Sequence, residues 1–310
     1  MNVSLPLAEY KFVFRAIDRV SLPGFADPLW RSVFGLALRR MVCSRGKQSA
    51  CSGCSDRFSC AYGALLMGFH RRGNDTHALS RNMTTVPPPL VFRSTIRDFR
   101  VTVPAGHTFS AEIILVGSGA KWLPSIIQAM ACAGECGLGR KRAGFALEQV
   151  IHSSPDLLPR LLLPGNGETA AESPPRPVRI PTAPDSLQFT FLSPYLLKRH
   201  SEDFAGFHLL MQCIRRISLM HTIYAGAVLP VDFRHLKNLA NQPLLLDGDL
   251  VIQKNYGCRD NAKRFQAITG WCTMRLAGLE ELWPWLYLGQ WLGVGKQAGK
   301  GFGRYQLLEI

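Results

Sequence analysis

The chain has 310 residues, of which 47% are hydrophobic, so it is long enough to bury one large core or two small ones. It carries 36 Lys and Arg against 22 Asp and Glu, and the net charge of +14 at pH 7 favours a polyanionic partner, most often nucleic acid. Its longest apolar runs are far too short to cross a membrane, and its first residues lack the basic and apolar regions of a signal peptide. Nine cysteines without an export signal are typical of a reducing compartment, so we expect a cytoplasmic protein without membrane contacts.

The first half of the chain alternates between strand-like and helix-like patterns. In the segment 9–20, aromatic residues alternate with polar or smaller ones, which predicts a half-buried strand. A helix is predicted from Pro28 to about Val42. The remaining elements are strands at 90–103 and 107–117, a helix at 122–135 and a strand at 145–151. Taken in order, they predict the β-α-β-β-α-β arrangement of a ferredoxin-like domain.

A segment rich in Pro, Gly, Ser and Thr, residues 153–184, is the one clear linker candidate. It separates a first domain at 1–152, which contains a Cys-rich insertion at 43–60, from a second domain at 185–310. We therefore expect two domains of similar size.

The second half repeats the pattern of the first. Its elements are a strand at 186–194, a long helix at 202–226, two strand-like runs that flank a basic connection at 253–266, and a short helix at 279–288 before the last strand. In both halves a glycine-rich, basic segment lies between the second helix and the last strand, GLGRKRAGFAL at 137–147 and GVGKQAGKGFGRYQL at 293–307. This internal repeat predicts a tandem duplication, an α+β fold with two ferredoxin-like domains.

Both glycine-rich segments are candidates for binding phosphate groups. Glycines let bare backbone N–H groups approach an anion, and nearby Lys and Arg side chains add positive charge. The alternative is that the glycines only permit a tight turn while the cations face water. Neither segment fits a P-loop or a dinucleotide fingerprint, because those motifs run from strand to helix and these segments run from helix to strand. The candidate RNA-binding residues are Arg140, Lys141 and Arg142 in the first segment, and Gly293, Gly295, Lys296, Lys300, Gly301, Gly303 and Arg304 in the second.

The basic connection at 253–266 is a third candidate for contact with RNA. It combines the cations Lys254, Arg259, Lys263 and Arg264 with the aromatic residues Tyr256 and Phe265. Charge and aromatic faces together suit single-stranded or looped RNA, through phosphate contacts and base stacking. A solvated β-hairpin that carries basic residues is the alternative.

Several segments, in their order and spacing, resemble the RAMP-superfamily endoribonucleases that process precursor CRISPR RNA. They are LPGFADPLWRSVFGLALRR with the Cys-rich segment after it, PPPLVF, GECGLGRKRAGFAL, SPYLLKR, IRRISLMH and the terminal GVGKQAGKGFGRYQL. The resemblance covers nearly the whole chain, and the terminal glycine segment is its most specific part. It implies two ferredoxin-like domains, binding of CRISPR repeat RNA and of the crRNA product, and cleavage without a metal cofactor. Association with other CRISPR effector subunits is a further expectation.

The resemblance also implies that the substrate's own 2′-hydroxyl is the nucleophile and that a 2′,3′-cyclic phosphate is formed, so a general base, a general acid and cations are required. In many relatives a histidine on or near the first helix transfers the proton, but this helix contains none and offers Arg39 and Arg40. The nearest histidine is His70, beyond the Cys-rich insertion. Either His70 reaches the site, or the enzyme relies on arginine, which clamps phosphate well but is a poor proton donor.

Three catalytic candidates result, His70, Arg39 and Arg40. The alternative for His70 is a solvated loop residue, and for the two arginines an outer helix face. The missing histidine also leaves a second function open, that of a non-catalytic RAMP subunit that binds guide RNA inside an effector complex.

The Cys-rich insertion is a candidate metal site. Cys43, Cys51, Cys54 and Cys60 fall within eighteen residues, and one Cys-x-x-Cys pair among them can bind a tetrahedral ion. Structural zinc is the leading prediction, and an iron–sulfur cluster or free thiols are the alternatives. A metal with four sulfur ligands has no open position, so it would stabilise the segment, and no cofactor is expected for catalysis.

Overall fold

The computed structural model describes residues 3–45, 50–70, 83, 85–94, 100–154, 157–163, 174–197, 206–242, 245–257 and 264–310. Contacts divide the chain into two compact units. The N-terminal unit comprises Pro6–Pro177 and Ile223–Ala225, and the C-terminal unit comprises Met1–Leu5, Val178–Thr222 and Gly226–Ile310.

The N-terminal unit has a central antiparallel sheet and two helices. Its strands are β1 (Pro6–Ala16), β2 (Val20–Leu22), β3 (Leu90–Ser94), β4 (Val101–Val103), β5 (Thr108–Val116), β6 (Phe145–Ser154), β7 (Leu157–Leu163) and β8 (Arg176–Pro177); its helices are α1 (Asp27–Val42) and α2 (Leu123–Cys136). The sheet has the strand order β3-β5-β1-β6-β7, β8 pairs with β1, and β2 pairs with β4 in a separate ribbon. The order β3-β5-β1-β6, with α1 before β3 and α2 before β6, is the ferredoxin-like arrangement.

The core of this unit lies against the face of β1 that its alternating aromatic residues occupy. Tyr10, Phe12 and Phe14 are fully buried, as the two-residue period of a strand requires. The Phe14 ring stacks on Trp30 of α1 with 5.0 Å between ring centroids and meets Phe145 of β6 edge-on at 5.1 Å. The strand and the first helix predicted for this part of the chain are therefore confirmed.

Part of the predicted linker at 153–184 belongs to the sheet of the N-terminal unit. β7 lies inside that segment and pairs antiparallel with β6, and Leu162 on β7 is 2% exposed. β8 also lies inside the segment and pairs with β1. In the Leu-rich run at 157–163, Leu162 is buried whereas Leu158 and Leu161 are exposed, and the Pro and Gly content of the surrounding sequence obscured this strand. The division between the two units falls between Pro177 and Val178.

The C-terminal unit repeats the same topology. Its strands are β9 (Ser186–Phe191), β10 (Tyr195–Leu197), β11 (Leu245–Gly257), β12 (Arg264–Arg275) and β13 (Tyr305–Glu309); its helices are α3 (Gly206–Tyr224), α4 (Phe233–Ala240) and α5 (Trp283–Leu292). β13 pairs with β9, β9 pairs with β12, and β10 and β11 both pair with β12. The order β13-β9-β12-β11 corresponds to β6-β1-β5-β3 in the N-terminal unit. The predicted tandem ferredoxin-like fold is confirmed.

One helix of the C-terminal unit, α4, was not among the predicted elements. The Asp232 carboxylate starts it by accepting hydrogen bonds from the backbone N–H groups of Arg234 and His235 at 2.9 and 3.0 Å. α4 has only eight residues, which is too short for a clear helical periodicity in the sequence. Among the helices of the described residues, none is both long and apolar enough to span a bilayer.

Candidate nucleic-acid interface

A tight hairpin in the N-terminal unit presents three adjacent cations. Two backbone hydrogen bonds close it, from the Leu138 N–H to the Ala143 carbonyl at 2.9 Å and from the Ala143 N–H to the Leu138 carbonyl at 3.0 Å. Arg140, Lys141 and Arg142 form its tip and are exposed. We refer to residues 138–143 as the basic hairpin. All three cations of the first glycine-rich segment are therefore accessible to a polyanion.

The start of the basic hairpin depends on a glycine. Gly137 has φ +73°, and a Cβ added there would lie 2.2 Å from the carbonyl oxygen of Arg142. Arg142 itself has φ +49°, in the left-handed region that few non-glycine residues adopt. The glycine therefore serves the tight turn, which was the alternative interpretation of this segment, while the cations at the tip remain exposed.

The other end of the basic hairpin is fixed to the residues that follow β1. The Gly144 carbonyl accepts hydrogen bonds from the N–H groups of Ile17 at 2.9 Å and Asp18 at 3.1 Å. In return, the Gly144 N–H donates to the Asp18 carboxylate at 2.8 Å. These bonds hold the hairpin in one position, so less conformational entropy is lost when its cations bind an anion.

Arg40 lies at the same end of the N-terminal unit as the basic hairpin. Its Nη1 is 3.1 Å from Sγ of Cys136, the last residue of α2, and Gly137 follows directly. Arg40 is exposed and lies in the last turn of α1, where the helix dipole favours a cation. The structure therefore brings one of the predicted catalytic residues to the base of the predicted RNA-binding segment.

Arg39 contacts a different part of the unit. Its guanidinium lies 5.7 Å from the ring centroid of Tyr62 and hydrogen bonds with Cys43. Desolvation acts to lower the pKa of Arg39, but the hydrogen bond with Cys43 and the charges of Cys51 and Tyr62 outweigh it, so the pKa lies above its ordinary value. Arg39 is thus a permanent cation that connects α1 to Tyr62, which follows the Cys-rich segment.

His70 lies beyond the Cys-rich segment, at the end of the described residues 50–70. It follows Phe69, which forms an isolated antiparallel bridge with Thr85, and it is half-buried. The arginines at 71 and 72 lie outside the described residues. His70 therefore belongs to the same segment as Tyr62, the residue that Arg39 contacts.

The four cysteines of the insertion are reduced and half-buried. The Cys54 N–H donates to the Cys51 carbonyl at 3.2 Å, and the Cys60 N–H donates to the Asp56 carbonyl at 2.9 Å. Within the described residues, which omit 46–49 of the insertion, no three His, Cys, Asp or Glu side chains are arranged to hold a metal ion. The four-thiolate zinc site stays a prediction from the sequence.

The terminal glycine segment is packed against residues 193–196, which comprise the end of the β9–β10 connection and the start of β10. The N–H groups of Lys296 and Gly303 donate to the carbonyls of Leu196 at 3.0 Å and Pro194 at 2.9 Å, and the Arg304 N–H donates to the hydroxyl of Ser193 at 2.9 Å. These donors were predicted to face an anion, but they are already used inside the unit. The segment is a fixed scaffold, and no local pattern in the sequence indicates the long-range partners that accept its hydrogen bonds.

The glycines of this segment permit close backbone contact. Gly303 has φ +67°, and a Cβ there would lie 1.8 Å from the carbonyl oxygen of Val294. Gly295 has φ +88°, and a Cβ there would lie 2.6 Å from the Tyr195 ring. Gly293 and Gly301 also have positive φ, +64° and +89°. Their role is therefore conformational.

The cations of the terminal segment differ in accessibility. Lys296 is exposed and Lys300 is half-buried, but Arg304 is 4% exposed, so its side chain does not lie on the surface as predicted. The neighbouring Tyr305 stacks on Phe189 with 4.3 Å between ring centroids, and its hydroxyl donates to the Leu286 carbonyl at 2.7 Å. Burial raises the pKa of Tyr305 well above its ordinary value, so the phenol stays neutral and structural.

The basic connection between β11 and β12 is described only in part. Lys254 is exposed, whereas Arg259 and Lys263 lie outside the described residues and Arg264 begins β12. The Tyr256 ring meets Phe302 of the terminal segment edge-on at 6.3 Å. Tyr256 therefore packs the end of β11 against the glycine segment. The sequence had suggested a different role for it, stacking on RNA bases.

Two family models match the chain. Residues 5–174 match the model AF_1859_N, described as an N-terminal domain, and residues 189–305 match the model for the CRISPR-associated endoribonuclease Cas6. A search of curated proteins gave no match.

Solved structures show the same fold. A Cas6 product complex is 13% identical with a TM-score of 0.53, over 98% of this chain and 99% of that chain. Cas6 of Thermus thermophilus is 12% identical with a TM-score of 0.51, again over 98% and 99%. A partial Cas6-RT-Cas1–Cas2 complex is 13% identical with a TM-score of 0.56, over all of this chain and 47% of that one.

Proposed function

Because this chain belongs to the family of the AF_1859_N domain and is a CRISPR-associated Cas6 endoribonuclease of the RAMP type, we propose that its substrate is the repeat RNA of a CRISPR transcript. In the proposed reaction the 2′-hydroxyl next to the scissile phosphate loses its proton to a base and attacks phosphorus. The bond from phosphorus to the 5′-oxygen breaks, and that oxygen takes a proton from an acid. The products are a 2′,3′-cyclic phosphate and a free 5′-hydroxyl, and no metal takes part.

The observation that carries this proposal is the grouping of Arg40 with the basic hairpin. Arg40 lies at the base of the hairpin, and Arg140, Lys141 and Arg142 are exposed at its tip. Arginine binds phosphate oxygens with two parallel hydrogen bonds, which fixes both the position and the orientation of the phosphate. Negative charge on the non-bridging phosphate oxygens increases as the 2′-oxygen attacks. A fixed cation therefore stabilises the transition state more than the substrate.

The candidate site residues have different proposed roles. Arg40, on the helix, holds the scissile phosphate, and the tip residues Arg140, Lys141 and Arg142 hold the phosphates next to it. His70 transfers protons, because the ordinary pKa of histidine is close to neutrality while that of arginine is far above it. Arg39 acts indirectly, since its contacts with Cys43 and Tyr62 fix the segment that ends at His70. The RNA-contact role predicted for Lys254, Lys296 and Lys300 belongs to the same proposal.

The Cys-rich insertion has a structural role in this proposal. If it binds zinc, the four thiolates would hold the segment 43–60 in place, and the ion would have no open position for substrate. Association with other CRISPR proteins is likewise proposed from the sequence resemblance. One solved structure similar to this chain is a complex of Cas6 with RT, Cas1 and Cas2.

The test is cleavage of the labelled repeat RNA from the protein's own genome in the presence of EDTA. A single cut that leaves a 2′,3′-cyclic phosphate is expected, and replacement of the attacking 2′-hydroxyl by hydrogen should abolish it. Tight binding without a cut in any buffer would contradict the proposed reaction and favour the guide-RNA-binding subunit. A cut that EDTA prevents would contradict metal independence.

A further inference from the structure

The outer face of α4 and its C-cap residue carry four polar side chains in one row. Arg234, Lys237, Asn238 and Asn241 have the spacing i, i+3, i+4 and i+7, which places them on one side of a helix. All four are exposed. We refer to these four residues as the α4 stripe.

α4 is held firmly from the other side. Leu236 and Ala240 on its inner face are 0% and 1% exposed. The Asp232 carboxylate caps its first turn, and those backbone hydrogen bonds hold the pKa of Asp232 below its ordinary value. On the flank of the helix, Nε2 of His235 lies 3.1 Å from the Glu281 carboxylate. The stripe is therefore a row of side chains on a fixed backbone.

The two cations of the stripe take little part in the contacts that hold α4. Among the described residues, neither Arg234 nor Lys237 has a side-chain hydrogen bond or an ion pair, and Glu281 contacts His235 instead. Arg234 also lies in the first turn of α4, where the helix dipole disfavours a positive charge. Inside the described part of the unit, the Arg234 side chain has a charge attraction to the Asp232 carboxylate but no hydrogen bond. Its N–H donors, like those of Lys237, can therefore bind an anion outside the protein.

The chemistry of the stripe fits RNA. Arginine and lysine contact phosphate oxygens, whereas asparagine both donates and accepts hydrogen bonds and can therefore reach a base edge or a 2′-hydroxyl. The spacing along a helix also places the two cations within one turn of each other, close enough for adjacent phosphates.

We propose that the α4 stripe is a further RNA-contact surface, at which Arg234 and Lys237 bind two phosphates of the substrate strand. The proposal rests on the proposed function, because it takes the same RNA as its ligand. It differs in its consequence, since the stripe contributes to binding and its loss leaves the chemistry of bound RNA unchanged.

The experiment measures binding of the repeat RNA, and of a scrambled RNA of the same length, over a range of salt concentrations. The test variant is Arg234→Ala with Lys237→Ala, and a second version replaces both by Gln. The matched control is Arg179→Ala with Arg275→Ala, two exposed cations of the same unit, which removes the same net charge. Thermal unfolding and cleavage at saturating RNA are measured for every variant.

Loss of two phosphate contacts should lower the slope of log affinity against log salt by about 1.4 for single-stranded RNA, equally for both RNAs. The control should keep the wild-type slope, and every variant should cleave saturating RNA at the wild-type rate. An unchanged slope in the stripe variants, or an equal loss in the control, would overturn the proposal. If the stripe variants keep the wild-type slope but bind another protein less tightly, the stripe is a surface for that protein and the proposal is wrong.

The two proposals fail in different ways. Wild-type protein that binds RNA without cutting it contradicts the proposed reaction, while the slope of the stripe variants still decides the role of α4. Wild-type protein that binds neither RNA contradicts both.

Discussion

Arg40 at the end of α1 and Cys136 at the end of α2 are in direct contact, 3.1 Å from Nη1 to Sγ. This contact fixes an exposed guanidinium where the chain turns from α2 into the basic hairpin. Arg39, one residue earlier, contacts Tyr62 instead. Successive residues on a helix are rotated by about 100°, so the two arginines point in different directions and do different things.

We predict that Arg40→Ala reduces the rate of cleavage at saturating RNA by about 100-fold, which is typical for the loss of one donor to a transition-state charge. Arg40→Lys should fall between wild type and Arg40→Ala, because lysine keeps the charge but lacks the two-pronged geometry. Single-turnover cleavage of the repeat RNA measures the effect.

The control for this prediction is Arg39→Ala. It should lower the melting temperature more than Arg40→Ala does, because it breaks the contact between α1 and Tyr62, and it should slow cleavage less. If Arg39→Ala is the slower enzyme at equal stability, the roles proposed for the two arginines are reversed.

Removal of the hairpin cations should weaken binding. A variant with Arg140, Lys141 and Arg142 all replaced by Ala should lower the slope of log affinity against log salt by about 2 for single-stranded RNA, since each lost phosphate contact contributes about 0.7. The melting temperature should change little, because all three side chains are exposed. Electrophoretic or fluorescence binding assays at several salt concentrations give the slope, and a wild-type slope in the triple variant would contradict the role of the hairpin.

Gly303→Ala should destabilise the C-terminal unit strongly. The new Cβ would lie 1.8 Å from the backbone oxygen of Val294 and would occupy a left-handed conformation, so we expect a loss of about 2–4 kcal/mol in the free energy of unfolding. Gly226→Ala separates the two causes, because Gly226 has φ +74° and open space around it. That variant should lose about 1–2 kcal/mol, from the backbone conformation alone. Equal losses in denaturant titrations would show that the contact with Val294 is unimportant.

Acid should destabilise the N-terminal unit through His152. This residue is 2% exposed, and its pKa is lowered by desolvation and by the positive charges of Arg160 and Arg176. Because the folded-state pKa lies below the unfolded value of about 6.5, the stabilisation is complete above that pH and is lost as the pH falls below it. Denaturant titrations between pH 5 and 8 measure the effect.

His152→Gln should flatten that pH dependence. His107→Gln should not, because His107 is exposed. If both variants keep the wild-type profile, another group is responsible for the acid sensitivity.

The duplicated fold was predictable because its signals are local and repeated. Residues with strand and helix periods occur in the same order in both halves, and each half ends in a glycine-rich segment before the last strand. α1 was predictable from Pro28 in its first turn. β7 was missed because seven consecutive residues of mostly one type carry no alternation between two faces.

The candidate site was less predictable, because its geometry depends on distant residues. Ser193 and Pro194 accept hydrogen bonds from N–H groups of the terminal segment, and Ser193 is 111 positions away from its donor, Arg304. No local sequence pattern predicts such distant partners. The same is true of the contact between Arg40 and Cys136, which are 96 positions apart. Residue type identified the cations of the site, and only the fold separated the exposed ones from the buried Arg304.

The packing of the terminal glycine segment onto residues 193–196 also governs the order in which the C-terminal unit can be completed. The strand that opens this unit, β9, receives its edge partner β13 only when residues 305–309 have left the ribosome. Until then the ring of Phe189 lacks Tyr305, its stacking partner, and the carbonyl of Pro194 lacks its donor. The N-terminal unit contains almost all of its own partners within Pro6–Pro177 and can fold during synthesis. Nascent chains stalled before residue 293 should therefore hold a protease-resistant N-terminal unit followed by an unprotected remainder. Synthesis of residues 293–309 is then the step that completes the sheet of the C-terminal unit.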